Sequence, residues 1–345
     1  MKNLRIYLSI LLLMTCAALF ADGPTATLQQ GDVLAVYYGQ DAFQKAYTAA
    51  EDGGIITLSP GTFTPLTTAV EKSLTINGTY GMSPDSANTT YISQITIYAD
   101  NVKIEGILLG NLYIRAIKNF TVKRCWVDYL SKYNSEHHTN TLVDQCIIYR
   151  CDNAISTGVN YAIKNSTINY FSVLNPSTQL ANITNCWIWN FYVYAWSSLY
   201  QPYAVYKNNV LCLNIYTTTF SSDNSVYLSA PSEFYNNCFY LIASSNRTGR
   251  YVPSFNSGCL NSGNTILPTS GTAVFSITPS SIKNSYFPYR DSLNLKGADN
   301  TPMGIMGGTG FNDYPAIPRV VNATIDAQND GEGYLNATIK VKAER

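Results

Sequence analysis

The densest gathering of acids, bases and imidazoles in this 345-residue chain is Asp128, Lys132, Glu136, His137, His138, Arg150 and Asp152. A carboxylate pair there could serve as general acid and base, an imidazole could shuttle a proton near neutral pH, and a guanidinium could hold an anionic substrate. The candidate catalytic residues are therefore Asp128, Glu136, His137, His138, Arg150 and Asp152, weighed against the plainer reading of a solvated polar loop. Beyond them the charge runs out. Residues 153–222 contain no Asp or Glu and only two basic side chains, Lys164 and Lys207. That stretch offers no general base, no metal ligands and no positive field for a polyuronate. No CxxC pair or His/Cys cluster has metal-ligand spacing, so neither a metal nor another cofactor is expected.

Aromatic residues fill the space that charge leaves. Trp187, Trp189, Phe191, Tyr192, Tyr194, Trp196, Tyr200 and Tyr203 crowd one short stretch, with Trp126 and Tyr149 at equivalent positions upstream. If these rings face outward, Trp126, Tyr149, Trp187, Trp189, Tyr192, Tyr194 and Trp196 form a platform for stacking sugar rings. The alternative is that they pack beneath a loop or a cap.

Both sets sit on a repeat. An apolar residue, any residue, Asn or a substitute, a small residue, any residue and an apolar residue recur in Val122-Lys-Arg-Cys-Trp-Val127, Val143-Asp-Gln-Cys-Ile-Ile148, Ile163-Lys-Asn-Ser-Thr-Ile168, Ile183-Thr-Asn-Cys-Trp-Ile188, Tyr206-Lys-Asn-Asn-Val-Leu211, Tyr235-Asn-Asn-Cys-Phe-Tyr240 and Ile282-Lys-Asn-Ser-Tyr-Phe287. The first four copies lie 21, 20 and 20 residues apart. A period of that size accommodates three short strands joined by tight turns but no helix, so each copy reads as one rung of a right-handed parallel β-helix. Alternation sends Cys186 inward with Ile183 and Ile188, and sends Trp187 and Trp189 outward. Stacking in register then predicts an interior column of Cys125, Cys146, Ser166, Cys186, Asn209, Cys238 and Ser285, rungs about 4.8 Å apart. A second column of Asn165, Asn185, Asn208, Asn237 and Asn284 falls at the bend, where Asn tolerates left-handed backbone. Residues 95–97, 102–107 and 112–114 read as narrower rungs, 221–231 as an inserted loop, and 255–260 as a degenerate rung in which Cys259 keeps the small column.

The expected organisation is a signal peptide at 1–21, a solenoid with its N-terminal cap at 22–314, and a β-hairpin cap at 315–345. Lys2 and Arg5 precede an apolar run over 6–20 that is too short to span a membrane. A lipid anchor at Cys16 is the rival to cleavage after Ala21. Of the eight cysteines, seven would remain after cleavage. Stacked thiols read as reduced core fillers, with a Cys125–Cys146 bridge as the alternative. Residues 41–50 place Phe43, Ala46, Tyr47 and Ala50 on one helical face with Asp41 as N-cap and Gly53-Gly54 as the stop. Residues 320–325 and 334–341 flank Asn329-Asp-Gly-Glu-Gly333 as a hairpin. With 22 basic and 22 acidic residues the chain has no net charge to recruit nucleic acid or an anionic membrane.

The helix-and-strand start over 41–63, the Asn-Cys rungs and Met303-Gly-Ile-Met-Gly-Gly308 together resemble the secreted bacterial right-handed parallel β-helix proteins of the pectate-lyase-like superfamily. The resemblance implies that fold, and an activity among lyases, hydrolases, tailspikes and adhesins. Trp126-Val-Asp-Tyr129 is similar to a Trp-Ile-Asp-His motif of the lyases, with Tyr129 where His is expected. One Asp binds calcium poorly, because the ion takes six to eight oxygens. None of the Asn-Thr-Asp, Asp-Asp, Gly-His-Gly and Arg-Ile-Lys motifs of the polygalacturonases occurs here, and no obvious pair of carboxyls opposes across neighbouring rungs. The expected function is that of an exported protein contacting a glycan through outward aromatic rungs. A polysaccharide lyase or glycoside hydrolase, and a structural or adhesive surface protein, are the alternatives.

Overall fold

The computed structural model describes residues 23–79, 89–115, 117–132, 139–152, 160–172, 181–192, 204–214, 225–228, 231–241, 252–255, 257–267, 296–305, 307–311, 319–329 and 335–342. The expected leader with Cys16, and Asn284 and Ser285, lie outside them. The first strands are β1 (Thr25–Gln30) and β2 (Val33–Tyr38), followed by helix α1 (Ala42–Ala49). Then come β3 (Ile55–Leu58), β4 (Gly61–Phe63), β5 (Thr75–Asn77), β6 (Thr90–Ile97), β7 (Lys103–Glu105), β8 (Leu108–Ile114), β9 (Thr121–Lys123), β10 (Trp126–Lys132), β11 (Leu142–Asp144), β12 (Ile147–Asp152), β13 (Ala162–Lys164) and β14 (Thr167–Ser172). The later strands are β15 (Ala181–Thr184), β16 (Trp187–Tyr192), β17 (Ala204–Lys207), β18 (Val210–Asn214), β19 (Ser225–Leu228), β20 (Glu233–Tyr235), β21 (Cys238–Leu241), β22 (Val252–Phe255), β23 (Leu260–Ser262), β24 (Thr265–Leu267), β25 (Arg319–Asn329) and β26 (Leu335–Lys342).

These strands build an all-β solenoid. One sheet runs β2-β1-β3-β5-β7-β9-β11-β13-β15-β17-β20-β23 and the other β24-β21-β18-β16-β14-β12-β10-β8-β6-β4, so each rung gives a short strand to the first and a longer one to the second. Rung-to-rung pairing is parallel, and only β1 runs antiparallel to its neighbours β2 and β3. Among the described residues two long sheets run along the coil, and the third side carries the Lys118–Thr139 bridge and the β19–β22 pair. Ser225–Leu228 is thus a strand where an inserted loop was expected.

Register stacks like on like. The first sheet sends Ile56, Ile76, Ile104, Val122, Val143, Ile163, Ile183, Tyr206 and Phe234 inward in one buried column. The second answers with Ile92, Leu109, Val127, Ile148, Ile168, Ile188, Leu211 and Phe239. β-branched residues suit such two-sided burial, and the column turns aromatic later in the chain, where Tyr206 and Phe234 stack at 4.9 Å between ring centroids.

Between the two strands of a rung the chain bends through one left-handed residue: Gly106, Arg124, Gln145, Asn165, Asn185, Asn208, Asn236 and Gly263. Asn236, not Asn237, occupies this column, because Phe234 pairs with Tyr206 and the frame chosen from Tyr235 is one residue late. The interior small-residue column is corrected accordingly to Cys125, Cys146, Ser166, Cys186, Asn209 and Asn237. Asn209 Nδ2 donates to Ile183 O (2.8 Å) and to Asn237 Oδ1 (3.0 Å), and its Oδ1 accepts Cys186 N (2.8 Å). Cys238 faces outward instead. Cys259 lies beside Ser232, donating to its carbonyl at 3.3 Å, and Asn264 continues the interior column. All seven described cysteines are buried and free, so the Cys125–Cys146 bridge is not formed.

At the start of the coil, α1 buries Ala42, Phe43, Ala46 and Tyr47 as its spacing dictates. Asp41 makes no capping bond and pairs with Lys45 at 2.8 Å, and the helix ends at extended Ala50 before the expected Gly53. The β1–β2 hairpin went unread in the sequence. Its turn uses Gly31 in the left-handed region, and β2 leaves Val33, Leu34, Val36 and Tyr38 exposed. β25 and β26 pair antiparallel, close to the expected hairpin.

Candidate functional site

The outer surface of the second sheet carries most of the residues singled out for chemistry. Directly after each bend, register aligns Leu108, Trp126, Ile147, Thr167, Trp187, Val210 and Cys238 in a column that points away from the core. A later segment, 299–305 with 307–311, covers it. Met303 packs with Trp189, Val210, Cys212 and Cys238, while Phe311 packs with Trp126 and Ile147. The bend column docks this segment: Asn236 Nδ2 donates to Asp299 Oδ2 (2.7 Å), Gly304 N to Asn208 O (2.8 Å), Asn185 Nδ2 to Pro302 O (3.1 Å) and Asn165 Nδ2 to Ile305 O (3.0 Å). Thr309 Oγ1 donates to Asn165 Oδ1 at 3.0 Å. Gly307 is required, since a Cβ there would meet the Asn185 amide and the Pro302 carbonyl.

The exposed platform expected of the tryptophans is therefore corrected. Trp126 is 3% and Trp189 8% exposed, and Trp187 is half-buried against Trp189 with ring centroids 5.1 Å apart. Alternation sends a side chain out of its own sheet but does not say what covers it there. Tyr149 does face solvent, at 37% exposure. For Tyr192 the backbone alone is described, and Tyr194 and Trp196 lie outside the described residues.

Beside the covered column the sheet shows a second, open set of positions. Register aligns Gln94, Asn111, Tyr129, Arg150 and Tyr170, followed by the backbone of Asn190, and, two residues on, Thr96 and Tyr113, whose partner Ser131 is buried. Tyr149 meets Tyr170 edge-on at 5.5 Å, Tyr113 meets Tyr129 edge-on at 6.1 Å, and the Arg150 guanidinium lies 5.8 Å from the Tyr129 ring. Burial and the neighbouring Tyr149 hydroxyl raise the Tyr170 phenol above its ordinary value, with Arg150 acting in the opposite direction.

Of the candidate catalytic residues, the structure puts Asp128 and Arg150 on adjacent strands of this face. Asp128 Oδ1 accepts the Trp126 indole N–H at 2.9 Å, which ties it to the covered column. Asp152 is described in backbone only, opposite Ser131 and Ser172. Glu136, His137 and His138 lie outside the described residues. No group of three or more His, Cys, Asp or Glu gathers to hold a metal among the described residues. Nor is any helix among them long and apolar enough to cross a membrane.

Two polar systems escaped the sequence reading. Arg124, at a bend that costs a non-Gly residue about 1 kcal/mol, pairs with Glu105 (3.3 Å) and donates to Gln145 (3.1 Å) in a buried network that also takes in Lys103. A second asparagine ladder, Asn101, Asn119, Asn140 and Asn160, lines an exposed bend with amide-to-amide bonds of 2.9, 2.9 and 3.0 Å. Its spacing of 18, 21 and 20 residues was visible in the sequence.

No protein-family model matches the chain, and no curated protein or solved structure is significantly similar to it. What fold and site define is a parallel β-helix consistent in general with the pectate-lyase-like superfamily, without a recognisable catalytic metal or cysteine constellation among its described residues.

Proposed function

We propose that this is an exported right-handed β-helix that contacts an extended, neutral glycan along the tyrosine face of its second sheet. The observation that carries the reading is a cluster of tyrosines on neighbouring rungs: Tyr129 and Tyr170 share a register column with Gln94, Asn111 and Arg150, and Tyr113 and Tyr149 meet them edge-on from either side, on a face that no described segment covers. Phenol rings offer an apolar face to the C–H surface of a sugar and a hydroxyl to its periphery, and side-chain amides bond its hydroxyls. Asp128 and Arg150 oppose each other in sign, so the face carries no strong field toward a polyuronate. In the same reading residues 1–21 are a cleaved leader, with a lipid on Cys16 as the alternative; 22–314 form the solenoid with α1 closing its start, and 315–345 supply the hairpin cap.

Calorimetric titration with neutral hexaoses built on glucose, mannose and xylose tests the reading, with oligogalacturonate as the acidic comparison. Binding to a neutral hexaose, weakened about tenfold in Tyr149→Ala or Tyr170→Ala and little changed by salt, is the expected result. Preference for oligogalacturonate, or unchanged affinity in both variants, overturns it.

A further inference from the structure

The tyrosine face ends at β6, and there the sheet meets a pocket of 170 Å³ walled by the 66–69 loop. The geometry points to this pocket as a subsite for a single uncharged sugar ring at the end of a glycan chain, a proposal that rests on the glycan reading above. Its volume is well below the roughly 300 Å³ at which pockets begin to hold a drug-sized ligand, so it suits one ring and not an oligosaccharide. Thr67, Thr68, Gln94 and Thr96 supply hydroxyl and amide groups, Leu66 and Tyr98 supply apolar surface, and none of the lining residues is charged.

The pocket is built rather than accidental. Tyr47 of α1 donates through its hydroxyl to Ala69 O (3.0 Å) and accepts Glu71 N (2.9 Å). Gln44 Oε1 accepts both Thr67 N (2.9 Å) and Thr67 Oγ1 (3.2 Å), leaving the Thr67 hydroxyl oxygen as an acceptor. On the opposite wall Val70 N donates to Thr96 O at 2.8 Å, and the Arg115 guanidinium sits 4.1 Å from the Tyr98 ring centroid. A helix thus holds the loop and a cation holds the ring, so little ordering remains for a ligand to impose. Register makes the pocket continuous with the tyrosine face: Gln94 pairs with Asn111 and Thr96 with Tyr113, and Asn111 in turn pairs with Tyr129. A chain lying along these columns, across the strands, delivers its terminal ring to the 66–69 loop.

The test uses the full chain and the same neutral hexaoses, each also prepared with a bulky aromatic label on its reducing end or with its non-reducing end blocked. Gln94→Leu and Thr96→Val should each weaken the best hexaose about fivefold to tenfold. One of the two end modifications should do the same to the wild type while the other does not. Thr68→Trp, which fills the pocket from an exposed position, should reproduce the loss, with circular dichroism reporting that each variant is folded. Wild-type affinity in all three variants, or indifference to both end modifications, overturns the subsite even where Tyr149→Ala weakens binding. Loss in the pocket variants with none in Tyr149→Ala upholds the subsite and removes the face. Failure of every hexaose to bind the wild type removes both.

Discussion

Raising the pH should unfold this protein abruptly, because its thiols are buried where they cannot ionise. Burial pushes Cys125 and Cys186 up to about 12, with backbone hydrogen bonds opposing it, and burial alone takes Cys238 to about 12. Cys146 and Cys212 are also raised by burial, with a neighbouring thiol adding to it. In the native state these thiols act as donors, Cys125 to Lys123 O at 3.2 Å and Cys146 and Cys186 to Asp144 O and Thr184 O at 3.3 Å. A group whose folded pKa is raised contributes stability that is fully present below its unfolded value, here about 8.5, and is lost as the pH climbs toward the folded one. At about pH 10 the loss comes to roughly 2 kcal/mol for each thiol. Five such thiols would remove about 10 kcal/mol, which is comparable to the roughly 5–15 kcal/mol that holds a typical domain folded. Buried Tyr161 and Tyr206, raised in the same way, add to the loss at higher pH. Circular dichroism and thiolate absorbance followed together should therefore change in one sharp, coincident step near pH 10. Cys146→Ala should make that step shallower by one titrating group. Gradual thiolate formation from about pH 8.5 with the circular dichroism unchanged would refute the reasoning, since it would mean that the column is open to solvent.

Two further perturbations address the covering segment and the interior ladder. Gly307→Val should lift the segment from the bend column, costing about 3–5 kcal/mol through exposure of Met303 and Phe311. Tryptophan emission should shift to the red while the strand signal persists, and an unshifted spectrum contradicts the covering role. Asn209→Leu removes the side-chain partners of Ile183 O and Cys186 N in the core, while Asn237 Oδ1 keeps the Asn209 backbone N–H, so its denaturation midpoint should drop by the equivalent of about 3–5 kcal/mol. Asn160→Ala, in the exposed ladder, should cost about 1 kcal/mol, and equal costs at both sites contradict the distinction between buried and solvated amides.

The coil was legible because its inward positions repeat at nearly constant spacing, and a period of two within each rung fixes which side chains enter. The frame failed at Tyr235 for a physical reason. Phe234 and Tyr235 are both apolar aromatics and Asn236 and Asn237 are both bend-tolerant, so two registers satisfy the same pattern, and only pairing with Tyr206 selects one. The covering segment entered the sequence reading only as Met303-Gly-Ile-Met-Gly-Gly308, one of the stretches that carries the resemblance, and its resting place was invisible. Its bonds to Asn165 and Asn185 span 117 to 144 residues, and nothing local in Trp126 or Trp189 records a partner that far away.

The same contrast bears on where function can lie. Inside the coil a residue mostly resembles the one below it, since a step in volume such as that from Ile183 to Tyr206 has to be matched elsewhere in the rung to avoid a void or a clash. Ile163 and Ile183 illustrate that constraint, as do Ile148, Ile168 and Ile188. On the open side of the second sheet it is absent, and there the column reads Gln94, Asn111, Tyr129, Arg150, Tyr170, changing chemical type at nearly every rung. Stacking does not require that order. A partner laid across the strands would meet a different group every 4.8 Å or so, which is what recognition of an extended chain needs and what a repeating column cannot supply. The proposed subsite at the 66–69 loop would then set the position from which such a chain is read.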